Sequence, residues 1–410
     1  MPEIVKTMKL QIYTDDNINT LFDGLTKCYS SACNEISRYV FDNDFILNYM
    51  QLQAQLYYDI RKKYSLKSQM TISALKTVTA RYKTVKEQLY QNPYKYKDEN
   101  NNYQYINKTL EWLQKPICFS RPQADLVRNR DYSFVGNGKQ ISINTLDKRV
   151  KVSFAVPKYF NQYFDGSWSF GTAKLVLLKG KWYLHIPMTK TVTDTFDSLK
   201  PSHVVGIDRG LRFLTSTYDE NGCCSFSSGK EILHKRNKFI KVRAILQAKG
   251  TKSAKRKLKA ISGRENRWMN DINHQLSKTL VERYGENTLY VIEDLAGVSF
   301  DEENLSNRTK SQRSEIRSWS FYQLEQFLNY KALETSSYVL KVPANYTSQR
   351  CPKCGRIHKE NRHHKTHEYV CDACGYRSND DRIGAMNLYE LGTMYISGDT
   401  NPRFGARKID

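Results

Sequence analysis

The chemistry available to this chain is concentrated in four cysteines and four acids. Cys351, Cys354, Cys371 and Cys374 form a C-x2-C-x16-C-x2-C pattern, with Gly355 and Gly375 following the second cysteine of each pair. A Cys-x-x-Cys-Gly turn lets both thiolates face one ion. Two such turns supply four tetrahedral sulfurs, the ligand set of one structural Zn2+. His358, His363, His364 and His367 lie between the pairs, but four cysteines already close the site, so these read as loop residues. Cys28, Cys33, Cys118, Cys223 and Cys224 are scattered and read as small apolar residues. Nine cysteines are an odd number for a disulfide framework, and the clustering of four points to metal in a reducing compartment.

The acids are Asp208 in VVGIDRG, Glu293 in LYVIEDL, and Asp380 and Asp381 in NDDRIGAMNL. Asp208 and Glu293 each end an apolar strand pattern whose neighbours should be buried, and a buried carboxylate is costly unless paired or metal-bound. Asp380 and Asp381 stand where a final helix begins. Singly, each has a structural reading: a turn at Asp208, a salt bridge at Glu293, a helix N-cap at Asp380 or Asp381. Together, in a basic chain, they repeat one logic. Acids gathered on one sheet edge would hold two Mg2+ or Mn2+ ions, which clamp the attacking water and the leaving oxygen of a phosphodiester. Hard oxygen donors suit Mg2+ or Mn2+, as thiolates suit Zn2+.

The elements that must position these residues are legible as changes of period. Residues 1–14 alternate as a strand (Ile4, Met8, Leu10, Ile12), and from Asp15 to about Leu113 apolar positions recur at helical spacing. The Asn- and Tyr-rich stretch 92–107 reads as a loop. From about Ile117 the pattern is β-rich, with turn signals at Asn137-Gly138 and Lys179-Gly180, and 191–203 reads as a polar linker. A helical segment inserted into a small β-barrel, joined by the N-terminal strand, explains this order. Residues 204–229 read as three strands and 230–284 as a long basic helical stretch. Between Lys230 and Arg264 there are 13 Lys or Arg and one acid, Glu231. The strand 287–297, a helix around 318–337 and the strand YVLKVP lead to the cysteines.

Length and charge agree with a multidomain globular protein: 410 residues with a formal charge of +22, from 64 Lys plus Arg against 42 Asp plus Glu. Such an excess fits a polyanion partner, and the 28 Tyr and 17 Phe supply rings for stacking on bases. No run of eighteen apolar residues appears, which excludes a spanning helix. The N-terminus lacks a secretory layout, and the expectation is a cytoplasmic protein with no membrane partner.

The string G-I-D-x-G, I-E-D-L, and a four-cysteine ribbon leading into N-D-D-R-I-G-A-M-N-L resembles the split RuvC-like nuclease domain of the TnpB family. TnpB proteins are transposon-encoded RNA-guided DNA endonucleases, and compact type V CRISPR effectors are similar to them. The approach to the ribbon also resembles the family through Trp319, Ser320, Phe321, Tyr330, Lys331, Thr347, Ser348 and Gln349. The resemblance is dense from about 203 to 390 and weaker before it.

The resemblance implies a catalytic triad of Asp208, Glu293 and Asp381. TnpB proteins often read D-R-D before N-A-A-x-N; counting back from Asn387 puts Asp381 at the essential acid, Asp380 in the Arg place and Asn379 in the outer Asp place. It also implies a multidomain α+β architecture: a wedge at 1–14 and 116–200 forming a β-barrel, a helical recognition domain at 15–115, and an RNase H-like (RuvC) α/β nuclease domain. The nuclease would occupy 203–345 and 379–410, with the zinc ribbon inserted at 346–378. The implied partners are a guide RNA and double-stranded target DNA; the oligomeric state is left open between monomer and dimer, with the monomer slightly favoured. Flanking-motif contacts fall on Lys76, Thr79, Arg81 and Gln123, and phosphate contacts on Arg264 and Arg267. A compact type V effector, a guided binder or repressor that does not cleave, and an unguided transposase or resolvase remain alternatives.

Overall fold

The computed structural model describes residues 2–295 and 321–405, apart from positions 137, 158, 194, 364 and 365. Asn137, His364, Trp319 and Ser320, read above as a turn, a loop histidine and family markers, therefore lie outside the described residues. The chain divides into two compact units, Val5–Thr191 and Met1–Ile4 with Val192–Asp410.

In the first unit, β1 (Glu3–Ile12) leads into three helices, α1 (Asp16–Asp42), α2 (Tyr49–Tyr64) and α3 (Ser68–Tyr90). Asp15 caps α1 by accepting from the Ile18 amide, and Asn48 caps α2 by accepting from Met50. Seven strands follow the region read as β-rich: β4 (Gln123–Leu126), β5 (Tyr132–Val135), β6 (Gln140–Asn144), β7 (Arg149–Ser153), β8 (Ser169–Phe170), β9 (Ala173–Leu178) and β10 (Lys181–Thr191). The N-terminal strand does join this sheet, in the order β1-β10-β9-β4 with β8 also on β10.

Two expectations need correction. The barrel is not closed among the described residues. Strands β5, β6 and β7 make a separate sheet, touching the first through the isolated bridge Ile12–Phe154. The helices and both sheets instead share one apolar core, running from Phe22 and Leu75 to Ile141 and Trp182. Helices fill the space that sheet closure would have filled. The stretch 92–107 is not a loop but a hairpin, β2 (Tyr94–Lys97) paired with β3 (Tyr103–Ile106). Its period-two pattern is hidden by the Asn-rich turn, where Asp98 accepts from the Asn100 and Asn102 amides.

The second unit is built on a five-stranded sheet. Its strands are β11 (His203–Asp208), β12 (Phe213–Asp219), β13 (Cys224–Ser228), β14 (Thr288–Glu293) and β15 (Tyr338–Val342), in the order β13-β12-β11-β14-β15. The first three run antiparallel, whereas β11, β14 and β15 are parallel. The basic stretch is three helices, α4 (Lys230–Lys249), α5 (Lys252–Ile261) and α6 (Arg264–Tyr284), broken at Gly250 and Gly263. Helix α7 (Phe321–Glu334) precedes β15, and α8 (Asp380–Ile396) ends the fold.

Parity along the strands sorts their residues into two faces. Val205, Ile207, Tyr290, Ile292 and Val339 pack with Leu280 of α6 and Leu328 of α7. Val204, Leu289, Val291, Leu340 and Val342 pack with Leu388 and Leu391 of α8. The parallel strands are covered on both faces, which is why they read as unbroken apolar runs.

The approach of α8 is close enough to exclude a side chain at Gly206. A Cβ there would sit 2.1 Å from the Ala385 carbonyl oxygen and 2.4 Å from the Tyr389 nitrogen, both backbone atoms that cannot swing away. Gly206→Ala is therefore expected to destabilise this unit by about 1–3 kcal/mol or more, since overpacking must move a helix. Denaturant melts of the two proteins check this; equal midpoints would mean that α8 is not seated as described.

Candidate active site and cysteine cluster

The same parity carries the acids. Asp208 follows Val204 and Gly206, and Glu293 follows Leu289 and Val291, so both point to the face covered by α8. Register makes them neighbours: Ile207 pairs with Ile292 across the parallel strands, which sets Asp208 beside Glu293 at their carboxyl ends. From above, α8 brings its first turn. A Cβ on Gly384 would lie 2.9 Å from Asp208 Cγ and Oδ2, so that glycine makes room for the carboxyl group.

The helix start is fixed by Asn379, whose side chain accepts from the amides of Asp381 and Arg382. The N-cap is thus Asn379 and neither aspartate. The two aspartates then diverge. Asp380 is buried and paired with Arg362, Nε to Oδ2 3.1 Å, and its Oδ2 lies 3.7 Å from His367 Nδ1. Asp381 stands 3.7 Å from Arg362 Nη2 through Oδ1, while its Oδ2 is buried with no hydrogen-bond partner.

Electrostatics bind the three acids into one site. Burial and then the charges of Glu293 and Asp381 push the Asp208 carboxyl well above the usual carboxylate range. Burial raises Glu293, opposed by the Thr347 hydroxyl and the charges of Arg209 and Arg362. Burial and the Asp380 charge raise Asp381, opposed by Arg362, Arg212 and His367. Repelling carboxylates with an orphaned oxygen and hard donors fit a divalent cation.

Several residues that hold this arrangement carried no assigned role in the sequence reading. Arg209 is buried and donates to the Glu293 carbonyl at 2.5 Å and to Glu325 at 3.4 Å. Thr347 donates its hydroxyl to Glu293 Oε1 at 2.5 Å. Asn387, fully buried on α8, donates to the carbonyls of Thr347 (2.7 Å) and Arg350 (2.8 Å). Arg350 in turn forks onto Glu390. Arg209 follows Asp208 directly and Thr347 lies in the stretch that resembles the family, so the signals were adjacency and motif membership.

The four cysteines converge. Their sulfurs lie within 4.8 Å of one another, with Cys351–Cys374 at 3.6 Å and Cys354–Cys371 at 3.5 Å. A tetrahedral ion with bonds near 2.3 Å needs edges of about 3.8 Å, so the set fits zinc. The two knuckles repeat one backbone pattern: Gly355 N donates to Cys351 O at 2.9 Å, and Gly375 N to Cys371 O at 3.0 Å. The knuckles flank a small sheet of β16 (Arg362–His363), β17 (Glu368–Val370) and β18 (Arg377–Asn379). His358 and His363 stay outside the cluster, but His367 does not remain a bystander. With Asp380 and Asp381 it forms a second close group, and the Arg362 guanidinium already supplies that group's positive charge.

The expected nucleic-acid contacts divide. Lys76, Arg81 and Gln123 line one groove of about 860 Å³ with Tyr49, and Lys76 Nζ lies 4.8 Å from the Tyr49 ring centroid. Thr79 does not join them: it is buried and donates to the Lys76 carbonyl of its own helix, which corrects its place in the set. Arg264 and Arg267 are exposed on the first turn of α6.

Two sequence-family profiles match. One, described as a probable transposase of the OrfB_IS605 type, covers residues 185–297, and the other, the Cas12f1-like TNB domain, covers 321–388. They span the parts that carry Asp208, Glu293, the cysteines and Asp381. The TnpB-like protein MJ0751 of Methanocaldococcus jannaschii is 27% identical over 269 residues, 63% of this chain and 92% of that protein. The chain is similar to the TnpB family in the parts that carry these residues. Members and relatives on both sides of that family match it: Cas12f1 of Syntrophomonas palmitatica, named a CRISPR-associated endodeoxyribonuclease, is 30% identical over 57% of this chain and 48% of its own length. InsQ of Escherichia coli K12, whose name describes an RNA-guided DNA endonuclease, is 30% identical over 53% of this chain and 56% of its own length. The chain thus spans about half the length of these two relatives. A solved Cas12f1–sgRNA–target DNA complex shares the fold at TM-score 0.54 and 12% identity, covering 94% of this chain and 99% of that one. Among the described residues no helix is long and apolar enough to cross a membrane.

Proposed function

We propose that this chain is an RNA-guided DNA endonuclease of the TnpB type that hydrolyses target DNA beside a short flanking motif. The observation that carries the reading is the convergence of Asp208, Glu293 and Asp381 from β11, β14 and α8, each carboxyl raised by burial and two of them by a neighbouring acid. These three residues would hold Mg2+ or Mn2+, which when bound stabilises the charge that develops in phosphodiester hydrolysis. Thr347 orients Glu293, Arg209 fixes the strand end beneath it, and Arg362 balances Asp380 so that Asp381 is left to face Asp208.

The sheet order β13-β12-β11-β14-β15 supports an RNase H-like (RuvC) reading of the nuclease, with main part 203–345, ribbon 346–378 and last helix 379–410. The helices of 15–115 and the sheets of 1–14 and 116–200 then serve as recognition and wedge modules. They would grip a guide RNA and its heteroduplex by shape and backbone while base pairing reads sequence. Lys76, Arg81 and Gln123 suit motif reading, and Arg264 and Arg267 suit phosphates. One structural Zn2+ on the four cysteines completes the cofactors of a protein acting on DNA in the cytoplasm. A compact type V effector is the second reading, favoured by the Cas12f1-like profile over 321–388.

The test is purification of the chain expressed with its native flanking DNA, sequencing of the RNA it carries, and cleavage of a plasmid library with randomised flanks in Mg2+. A discrete RNA with motif-dependent cutting is the expected result, and the shape of that RNA separates the transposon from the CRISPR form. Discrete RNA with binding but no cutting would indicate a guided repressor, and no RNA would sink the guided reading.

A further inference from the structure

The hairpin β2–β3 exposes a density of aromatic side chains that the fold does not use. Tyr94, Tyr96, Tyr103, Tyr105 and Trp112 are between 40% and 60% exposed, and none belongs to the core that the surrounding helices and sheets share. Cross-strand pairing sorts the tyrosines. Tyr94 opposes Ile106 and Tyr96 opposes Gln104 on one face, whereas Tyr105 opposes Lys95 and Tyr103 opposes Lys97 on the other. On the first face Tyr94 and Tyr96 stand nearly parallel, planes 16° apart and centroids 6.3 Å apart, with Trp112 5.7 Å from Tyr94. On the second face Lys95 Nζ sits 3.8 Å from the Tyr103 ring centroid and Lys97 Nζ 5.3 Å.

Flat rings flanked by ammonium groups match one chemistry: an unpaired base with its phosphate. The nearest acid in the turn does not spoil the match. Asp98 is occupied by the Asn100 and Asn102 amides and the Gln104 side chain, which hold its carboxyl below the usual range. A two-stranded hairpin is marginal by itself, and exposed aromatic surface invites non-specific association. A partner that stays bound accounts for both facts better than a transient one. We propose that this hairpin is a stacking surface for unpaired bases of single-stranded RNA. The choice of RNA over DNA rests on the guided reading above, in which RNA is the resident nucleic acid.

The experiment compares the full chain with two double variants, Tyr94→Ala/Tyr96→Ala and Tyr103→Ala/Tyr105→Ala. All four side chains are exposed, so melting temperature should not change. Binding of a fluorescent oligouridine of roughly 20 nucleotides is followed over a range of salt, beside a matched oligothymidine. The expected result is an affinity loss of about tenfold to a hundredfold in at least one variant. The salt slope should stay the same, because no phosphate contact is removed. Unchanged oligouridine affinity in both variants would overturn the proposal. So would a loss confined to oligothymidine, or RNA-free wild type that self-associates through these tyrosines while RNA affinity holds. The probe is independent of any guide, so absence of copurifying RNA would count against the guided reading and leave this result to stand by itself.

Discussion

Replacing Asp208 with asparagine is expected to abolish cleavage and to make the metal-free protein more stable. The two effects have one cause. Asp208, Glu293 and Asp381 are gathered at one sheet edge, where burial disfavours all three charged forms and the charges of Glu293 and Asp381 add to the effect at Asp208. Asparagine keeps the side-chain shape under Gly384, which leaves no room for anything larger. It removes one charge and with it a carboxylate oxygen that would hold the metal. Cleavage should fall at least a thousandfold, on the order of 4 kcal/mol in the barrier. In chelator near neutral pH the variant should gain about 1–3 kcal/mol, as buried charges do when replaced by neutral isosteres.

The pH dependence follows from the direction of the shifts. Each of the three carboxyls holds its proton more tightly in the folded chain than in the unfolded one. Their contribution therefore favours the fold in acid and is lost as pH rises through the raised values, above the ordinary carboxylate range. Metal-free wild type should melt at lower temperature as pH rises from about 5 toward neutral, and the variant less steeply. Mg2+ should restore wild type by mass action and leave Asp208→Asn unmoved. Thermal melts with chelator or Mg2+ across that range decide the matter. A wild-type midpoint indifferent to both pH and Mg2+ would mean that the acids are compensated within the protein and are no cation site.

The strand ends and the final helix were legible because VVGID and LYVIE are unbroken apolar runs closed by an acid. A strand covered on both faces reads that way, as the parallel strands β11 and β14 do here. What one chain could not show was which face each acid takes. That depends on α8 lying against Gly206, a contact between residues far apart in sequence. The same limit hid Arg209, Thr347 and Asn387, whose partners are backbone carbonyls and a carboxylate brought near by folding. Counting from Asn387 separated Asp381 from Asp380 in sequence; in the structure Arg362, reached from the ribbon hairpin, makes the physical distinction. The hairpin at 94–106 was concealed by composition: Asn and Asp signal a loop, and here they form only its turn. Barrel closure failed for a different reason, since helices took up the apolar faces that a barrel would have buried.

Loss of zinc is expected to cost cleavage while the unit Val5–Thr191 keeps its fold. The segment that carries the four cysteines is tied to the acids at both ends. On its entry side, Thr347 bonds Glu293 and is itself held by Asn387 of α8. On its exit side, β18 runs from the second knuckle to Asn379, which caps α8 and sets where Asp381 begins. The His367 carbonyl accepts from the Asn379 side chain and the Asp380 amide, both at 3.3 Å. Burial, and after it the neighbouring Cys374 and Cys354 thiols, pushes Cys351 up to about 12, so without an ion it stays a neutral thiol. Ligation requires the thiolate, so zinc uptake releases protons and weakens as pH falls. Cys371→Ser should therefore lower zinc content from one ion per chain and reduce Mg2+-dependent cleavage at least a hundredfold, the scale of lost support around a metal site. Element analysis, cleavage rates and limited proteolysis of the same sample provide the check. Protease sensitivity confined to the region around 351–379, with cleavage lost, would make the ribbon the device that positions Asp381. Full cleavage in a zinc-free protein would reduce it to a brace.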